Sequence, residues 1–177
     1  MNPREGFLVN GRAEERGSVG NAGVIDPVVR LVVFTLHGQR YALEISRVVR
    51  VLHAVEITPL PKAPDIVLGA VNVRGEIIPV INLKKRFGLP DSPPALDDRL
   101  ILAQTARRAV ALLADAVTQV TERPEAEIIN PVSVLPGLEY LRGVVQLADG
   151  MTFIYDLDTL LSLEEEARVE NAIHAQV

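Results

Sequence analysis

Asn72 to Phe87 reads NVRGEIIPVINLKKRF, a pattern that predicts a β-hairpin. An apolar strand runs into a turn at Arg74-Gly75, and IIPVI returns as the second strand. Two residues resist that simple reading. Pro79 stands inside the returning strand with no N–H to give a ladder. It is therefore expected on an edge or at a bulge, where it would curve a small barrel and stop further pairing of an apolar strand. Arg74 occupies a turn position that favours Gly, Asn or Asp, and Gly75 already supplies the permissive residue. A planar, permanent cation at an exposed tip suits a carboxylate on a partner. A solvated surface arginine is the plainer alternative.

Working outward, RLVVFTL from Arg30, the turn candidate His37-Gly38 and RYALEI predict another hairpin. The same pattern returns at RLILAQT from Arg99 and RRAVALLA. At an offset of 69, Arg30 meets Arg99, Leu31 meets Leu100, Ala42 meets Ala111, Leu43 meets Leu112, Val48 meets Val117 and Val51 meets Val120. At an offset of 74, GAVNVRGEIIPVINL from Gly69 meets GVVQLADGMTFIYDL from Gly143, so an insertion of five is expected around Pro124 to Tyr140. This is a duplicated unit of roughly 60–70 residues and about five short strands. The stretch GLPDSPPALDD, rich in proline and acid, links the copies. Neither copy is large enough to bury much alone, so two small barrels sharing an apolar seam are expected.

The boundaries that follow are a mobile arm over 1–29, carrying five glycines and little periodicity, a first subdomain over about 30–90 and a second over about 99–161. The body closes near 163, and 164–177 form a helical tail. Ser162 with Glu165 three residues later marks a capping box that opens this helix. Only Leu163, Ala167, Val169 and Ile173 offer it apolar contact, which predicts weak docking.

Composition narrows the function. Of 177 residues, 48% are hydrophobic but only 4% aromatic, so the core is aliphatic. No cysteine is present, which removes disulfides and thiolate chemistry. No apolar run approaches the roughly 18 residues of a membrane span, and no signal-peptide core follows Met1. A cytoplasmic protein without direct membrane insertion is expected. The net charge of −5 hides a split. Residues 30–90 carry nine Lys/Arg and four Asp/Glu, a net of +5, and residues 91–161 carry five and eleven, a net of −6. Such halves could associate head to tail, or the split could be chance scatter of surface charge.

The combination LGAVNVRGEIIPVINLKKRFGL, preceded by LVVFTLHGQRYALEISRVVRVL and followed by RRAVALLADAVTQV and EYLRGVVQLADGMTFIYDLDTLL, resembles the CheW family of chemotaxis coupling proteins. The resemblance spans most of residues 30–163. It implies a mainly β fold of two SH3-like five-stranded β-barrel subdomains packed side by side, with a short C-terminal helix. It implies no catalysis and no cofactor. The partners it implies are the cytoplasmic tip of a methyl-accepting chemoreceptor and the regulatory domain of the histidine kinase CheA. The tip Asn-Val-Arg-Gly matches the family's usual Asn-Leu-Arg-Gly, which puts Asn72, Arg74 and Gly75 on the receptor side. Val48 matches an apolar position of the receptor groove. A kinase-facing surface is implied around Val67, Leu68, Gly69 and Ala70. The chain departs from the family at Asn82, where Asp is usual, at Arg50, where Glu is common, and at Ala111, where Gly is frequent. The first two are specificity candidates. A coupler for another array, such as one controlling pili, or a two-barrel binding module with some other partner, would read the same way.

Other chemistry finds little support. His37, His53 and His174 follow no metal-ligand spacing, and no serine sits in a nucleophile elbow. Asp158 reads as a helix cap and Asp115 as a strand-to-turn residue. Lys84-Lys85-Arg86 lacks neighbouring aromatic rings for a nucleic-acid platform. A proline-peptide groove would want Trp and clustered Tyr, and the chain has no Trp.

Overall fold

The computed structural model describes residues 26–131 and 140–176. Residues 1–25 of the expected arm and 132–139 of the expected insertion lie outside the described residues. Five strands come from the first repeat: β1 (Val28–Leu36), β2 (Gln39–Glu44), β3 (Val48–His53), β4 (Val67–Val73) and β5 (Glu76–Ile81). Five come from the second: β6 (Arg99–Gln104), β7 (Ala109–Ala114), β8 (Ala116–Pro124), β9 (Leu141–Leu147) and β10 (Gly150–Tyr155). A single helical turn, α1 (Leu83–Arg86), follows β5, and α2 (Leu163–His174) ends the described chain.

The strands form two five-stranded sheets, ordered β8-β1-β2-β10-β9 (sheet one) and β3-β6-β7-β5-β4 (sheet two). Each sheet thus draws on both repeats, and the registers carry the duplication at single-residue precision. Ala42 pairs with Ile154 in sheet one, and its counterpart Ala111 pairs with Val80 in sheet two. The ladder of β4 with β5 skips Leu68, and the ladder of β9 with β10 skips its counterpart Arg142. Likewise β3 skips Val49 against β6 where β8 skips Thr118 against β1.

The expectation of two closed barrels, one per repeat, is corrected: neither sheet closes. Closure needs an unbroken ladder around the ring. Sheet two would have to join β3 to β4, but the chain between them runs through Pro59, Pro61 and Pro64, and a single bridge, Thr58 to Ala70, stands where a ladder would be. In sheet one β8 ends at Pro124, and the single bridge Ile129 to Val144 follows. Prolines lack the donor that would extend either bridge.

Pro79 also differs from expectation. It is buried, and β5 lies inside sheet two between β7 and β4 rather than at an edge. In sheet one the parallel ladder begins with Phe153 against Tyr41, whereas in sheet two it begins one pair later, with Val80 against Ala111. The missing donor therefore falls where β5 has not yet joined β7. Strand interiors tolerate proline at such a place.

The two sheets bury a shared aliphatic and aromatic seam that includes Phe34, Leu43, Ile81, Ile101, Leu112, Leu141 and Tyr155. The opposite face of each sheet holds its own smaller cluster, around Val33 and Ile154 in one and Val80 and Leu100 in the other. Tyr41, Phe87 and Tyr155 stack within the seam, with Phe87 and Tyr155 centroids 4.0 Å apart. Burial pushes the hydroxyls of Tyr41 and Tyr155 above the usual phenol range, and for Tyr155 a charge on Tyr41 adds to it.

Charged ties span the repeats. Asp115 pairs with Lys84 at 2.6 Å and accepts from the His37 backbone N–H. Asp158 pairs with Arg47 at 2.5 Å and accepts from the Ala106 backbone N–H, so it is not the helix cap expected; Asp156 accepts from the Asp158 N–H instead. His37 and Ala106 are repeat counterparts, which makes the two ties related devices.

The capping box of Ser162 and Glu165 opens α2 as expected. Its docking is firmer than the apolar count predicted. Val169 and Ala172 are buried, and the buried Glu166 pairs with Arg108 at 2.9 Å. Leu163, expected to contribute, is exposed instead. Arg86 reaches Glu165 at 2.6 Å and lies over the Tyr140 ring.

The strand exchange also dilutes the charge split. Residues 48–115, which hold sheet two, carry nine Lys/Arg and seven Asp/Glu, a net of +2. Residues 28–47 with 116–161, which hold sheet one, carry five and eight, a net of −3.

Candidate interaction surface

The β4–β5 turn shows why its sequence is unusual. Both Arg74 (φ 56°) and Gly75 (φ 90°) are left-handed, as a two-residue hairpin turn requires. Glycine takes this conformation freely, but an L-residue pays about 1 kcal/mol for it. The Asn72 side-chain carbonyl steadies the turn by accepting from the Gly75 N–H at 2.8 Å. Asn72 thus shapes the tip, and Arg74 is what the tip presents.

Arg74 opens onto a cleft of about 280 Å³ at one end of sheet two. Its floor is Val49, Val73, Ile78, Leu102 and Ala109, and Arg50, Glu76 and Gln104 share its rim with Arg74. Sequence reasoning missed this floor. The skipped ladder position that pushes Val49 outward to 67% exposure leaves no mark in the side-chain pattern.

The same irregularity separates Val48 from Arg50. Val48 is half-buried against the shared seam, while Arg50 is exposed at the cleft. The structure therefore brings Arg50, Arg74 and the Gly75 turn to one mouth and turns Val48 to the seam. Asn82 lies at the other end of β5, 5% exposed. It caps α1 by accepting from the Lys85 N–H and donates to Asp91 at 3.0 Å. An aspartate there would set two carboxylates against each other, which accounts for the amide locally.

On the stretch expected to face the kinase, β4 is an edge strand of sheet two. Val67 packs partly against the seam, and Leu68 lines a shallow cleft of about 220 Å³ with Asp91, Ser92, Pro93 and Pro94. Gly69 and Ala70 are buried beneath the Thr58 bridge. A Cβ on Gly69 would lie 2.3 Å from the Thr58 carbonyl oxygen, so packing alone requires glycine there.

Among the described residues no cluster of three His, Asp or Glu side chains could hold a metal ion, and no helix is long and apolar enough to cross a membrane.

Comparison with known proteins agrees with this architecture. A chemotaxis protein CheW of Thermotoga maritima is 32% identical over 142 residues, covering 79% of this chain and 90% of that protein. One of Klebsiella aerogenes is 31% identical over 143 residues, covering 79% and 86%. The crystal structure of the scaffolding protein TtCheW from Thermoanaerobacter tengcongensis superposes with a TM-score of 0.71 at 34% identity, covering 78% of this chain and 91% of that one. The CheW-like domain profile matches residues 30–165, and the chain belongs to the CheW family of chemotaxis scaffolds, adaptors rather than enzymes.

Proposed function

We propose that this scaffold, which couples chemoreceptors to the kinase CheA in chemotaxis signalling, meets them through two separate surfaces of sheet two. The receptor tip docks at the mouth formed by Arg50, Arg74 and the Gly75 turn. Asn72 holds that turn, and Val48 supports it from the seam. The CheA regulatory domain docks along the β4 edge, on Val67 and Leu68, with Gly69 and Ala70 setting the strand's path. The protein acts in the cytoplasm and is recruited to membrane-associated receptor arrays by these contacts. Coupling is then a free-energy difference between two states of the assembly, and requires contacts that differ between them.

The observation that carries the receptor side is Arg74 itself: a left-handed, exposed arginine where a smaller residue would relax the turn. Strain kept at an exposed position points to use. Arg74→Asn tests this directly. It should raise the melting temperature, because asparagine suits the turn, and lower affinity for the receptor cytoplasmic fragment in the same preparation. A variant that gains stability and keeps full receptor affinity would remove Arg74 from the receptor surface. Calorimetric titration of the unaltered chain with the CheA regulatory domain, at low and high salt, tests the kinase side. Micromolar or tighter binding is expected.

A further inference from the structure

We propose that the mouth of sheet two is selective for acid: it takes an apolar receptor segment flanked by carboxylates, gripped by Arg50 and Arg74 together. This rests on the coupling reading above and adds the chemistry of the partner.

Charge complementarity carries the argument. Arg30, Arg47, Lys84, Arg86, Arg108 and Arg142 each have a carboxylate partner within the chain. Arg50 and Arg74 have none among the described residues, as is also true of Lys62, Lys85 and Arg107 among others, but these two share the lining of one cleft. Glu76 is the only carboxylate of that lining, and it pairs with neither arginine. Two guanidiniums facing one apolar cleft repel each other and favour an incoming anion, and a guanidinium suits a carboxylate's two oxygens. The floor is aliphatic, with no aromatic platform for a nucleobase, so the apolar part of the partner is a side chain.

The duplication supplies an internal control. In sheet one the counterparts of Arg50 and Arg74 are Gln119 and Ala148, so that rim lacks both cations. The counterpart of Ala109 is Arg40, whose guanidinium donates to the Asp149 backbone carbonyl and lies against Gly150. A long side chain thus reaches over one mouth, while alanine at the matching place leaves the other open. The same fold has built one mouth crossed by a single arginine already bonded to backbone, and one left open with two arginines on its rim.

The test uses the full chain and three synthetic helical peptides with the same leucine face, carrying paired Glu, Gln or Lys beside it. The Glu peptide should bind at least about tenfold more tightly than the Gln peptide, with the preference shrinking as salt rises. Arg50→Glu and Arg74→Glu should each lose about tenfold for the Glu peptide, and Arg50→Glu should gain affinity for the Lys peptide. Circular dichroism confirms that each variant folds, and Arg50→Glu, outside the turn, stands if Arg74→Glu does not. Equal affinity for the three peptides, no saturable binding of the Glu peptide, or tighter binding of a single-stranded oligonucleotide would overturn the proposal. The kinase titration above reports on the coupling reading separately. Acid-selective peptide binding without kinase binding would leave the mouth intact and remove only the coupler.

Discussion

Replacing Gly69 with alanine tests how sheet two is held at its unclosed side. The added Cβ would meet the Thr58 carbonyl oxygen at 2.3 Å, the Thr58 carbonyl carbon at 2.9 Å and the Ile57 Cγ2 at 2.8 Å. Two of those three atoms are backbone, so the 57–59 segment must retreat by about 1 Å to reach an ordinary separation. The bridge it would leave is made of two hydrogen bonds, Thr58 N–H to Ala70 O at 2.9 Å and Ala70 N–H to Thr58 O at 2.8 Å. A retreat of that size carries both beyond hydrogen-bonding distance. Each lost bond costs about 1 kcal/mol, and the buried Ala70 groups left unpaired cost more. The glycine φ of +156° adds about 1 kcal/mol of strain, and the stiffer unfolded chain gives back about 0.5 kcal/mol. The expected loss is about 3 kcal/mol, or roughly 6–12 °C in melting temperature for a chain of this size.

Gly143 is the contrast. A Cβ there meets the Ile128 Cγ2 at 2.3 Å, a side chain rather than backbone. Urea unfolding of Gly69→Ala, Gly143→Ala and each variant with its isoleucine truncated gives the comparison. Ile128→Ala should recover part of the loss in Gly143→Ala, and Ile57→Ala should recover little in Gly69→Ala. A Gly69→Ala loss below about 1 kcal/mol, or full recovery by Ile57→Ala, would refute the backbone-clash argument.

Removing the Arg108 side chain should leave the buried Glu166 carboxylate without its cation and loosen α2 at a cost of about 3 kcal/mol. Hydrogen exchange at Val169–Ile173 should speed at least tenfold, and unchanged protection would rule out that anchor. Burial pulls the Glu165 carboxyl upward, but hydrogen bonds from the Ser162 backbone and Arg86 outweigh it, so its pKa lies below the ordinary value. Its contribution is therefore complete above the unfolded-state pKa and is lost as pH falls through the lower folded value. Urea midpoints taken between neutral pH and roughly pH 3 should fall more steeply for the wild type than for Glu165→Gln, and parallel curves would sink the idea. For Tyr41 and Tyr155 the sign runs the other way: burial raises the folded pKa, so their contribution is present below roughly pH 10 and declines as pH rises past it. Tyr155→Phe should flatten the alkaline loss of stability, and an unaltered profile would count against the burial argument.

Legibility in the sequence tracked the range of each interaction. Hairpins, the repeat offsets and the Ser162–Glu165 capping box are local patterns, and they appear where residue spacing put them. Strand exchange between repeats was invisible because β1 and β2 alternate in the same way whichever sheet receives them. Val48 and Arg50 stand two residues apart, which in a regular strand means a common face. The skipped position at Val49 reverses that, and no side-chain pattern announced it. Pro79 was placed at an edge or a bulge on general grounds, whereas its position depends on where β5 meets β7. The tail helix was judged on apolar residues alone, which left out Arg108 and Glu166, far apart in sequence and paired in space. At the site, Arg74 and Arg50 could be singled out one by one, but their meeting over a common floor required the fold.

The strand order has a consequence for how the protein is made. Sheet two is assembled from a contiguous stretch, β3 through β7, while sheet one is split into the flanks on either side of it. On a ribosome adding roughly 5–20 residues per second, β1 and β2 emerge first but find β8, β9 and β10 only after sheet two is complete. For those seconds Val33 lacks Val145, Leu147 and Ile154, the partners that bury it. A chain stalled before β8 would carry a finished sheet two beside an unpaired apolar hairpin, able to seize the matching flank of another nascent chain. The repeat that built the protein is thus also its hazard, and quick passage from Ala114 to Tyr155 shortens the time in which such an exchange can happen.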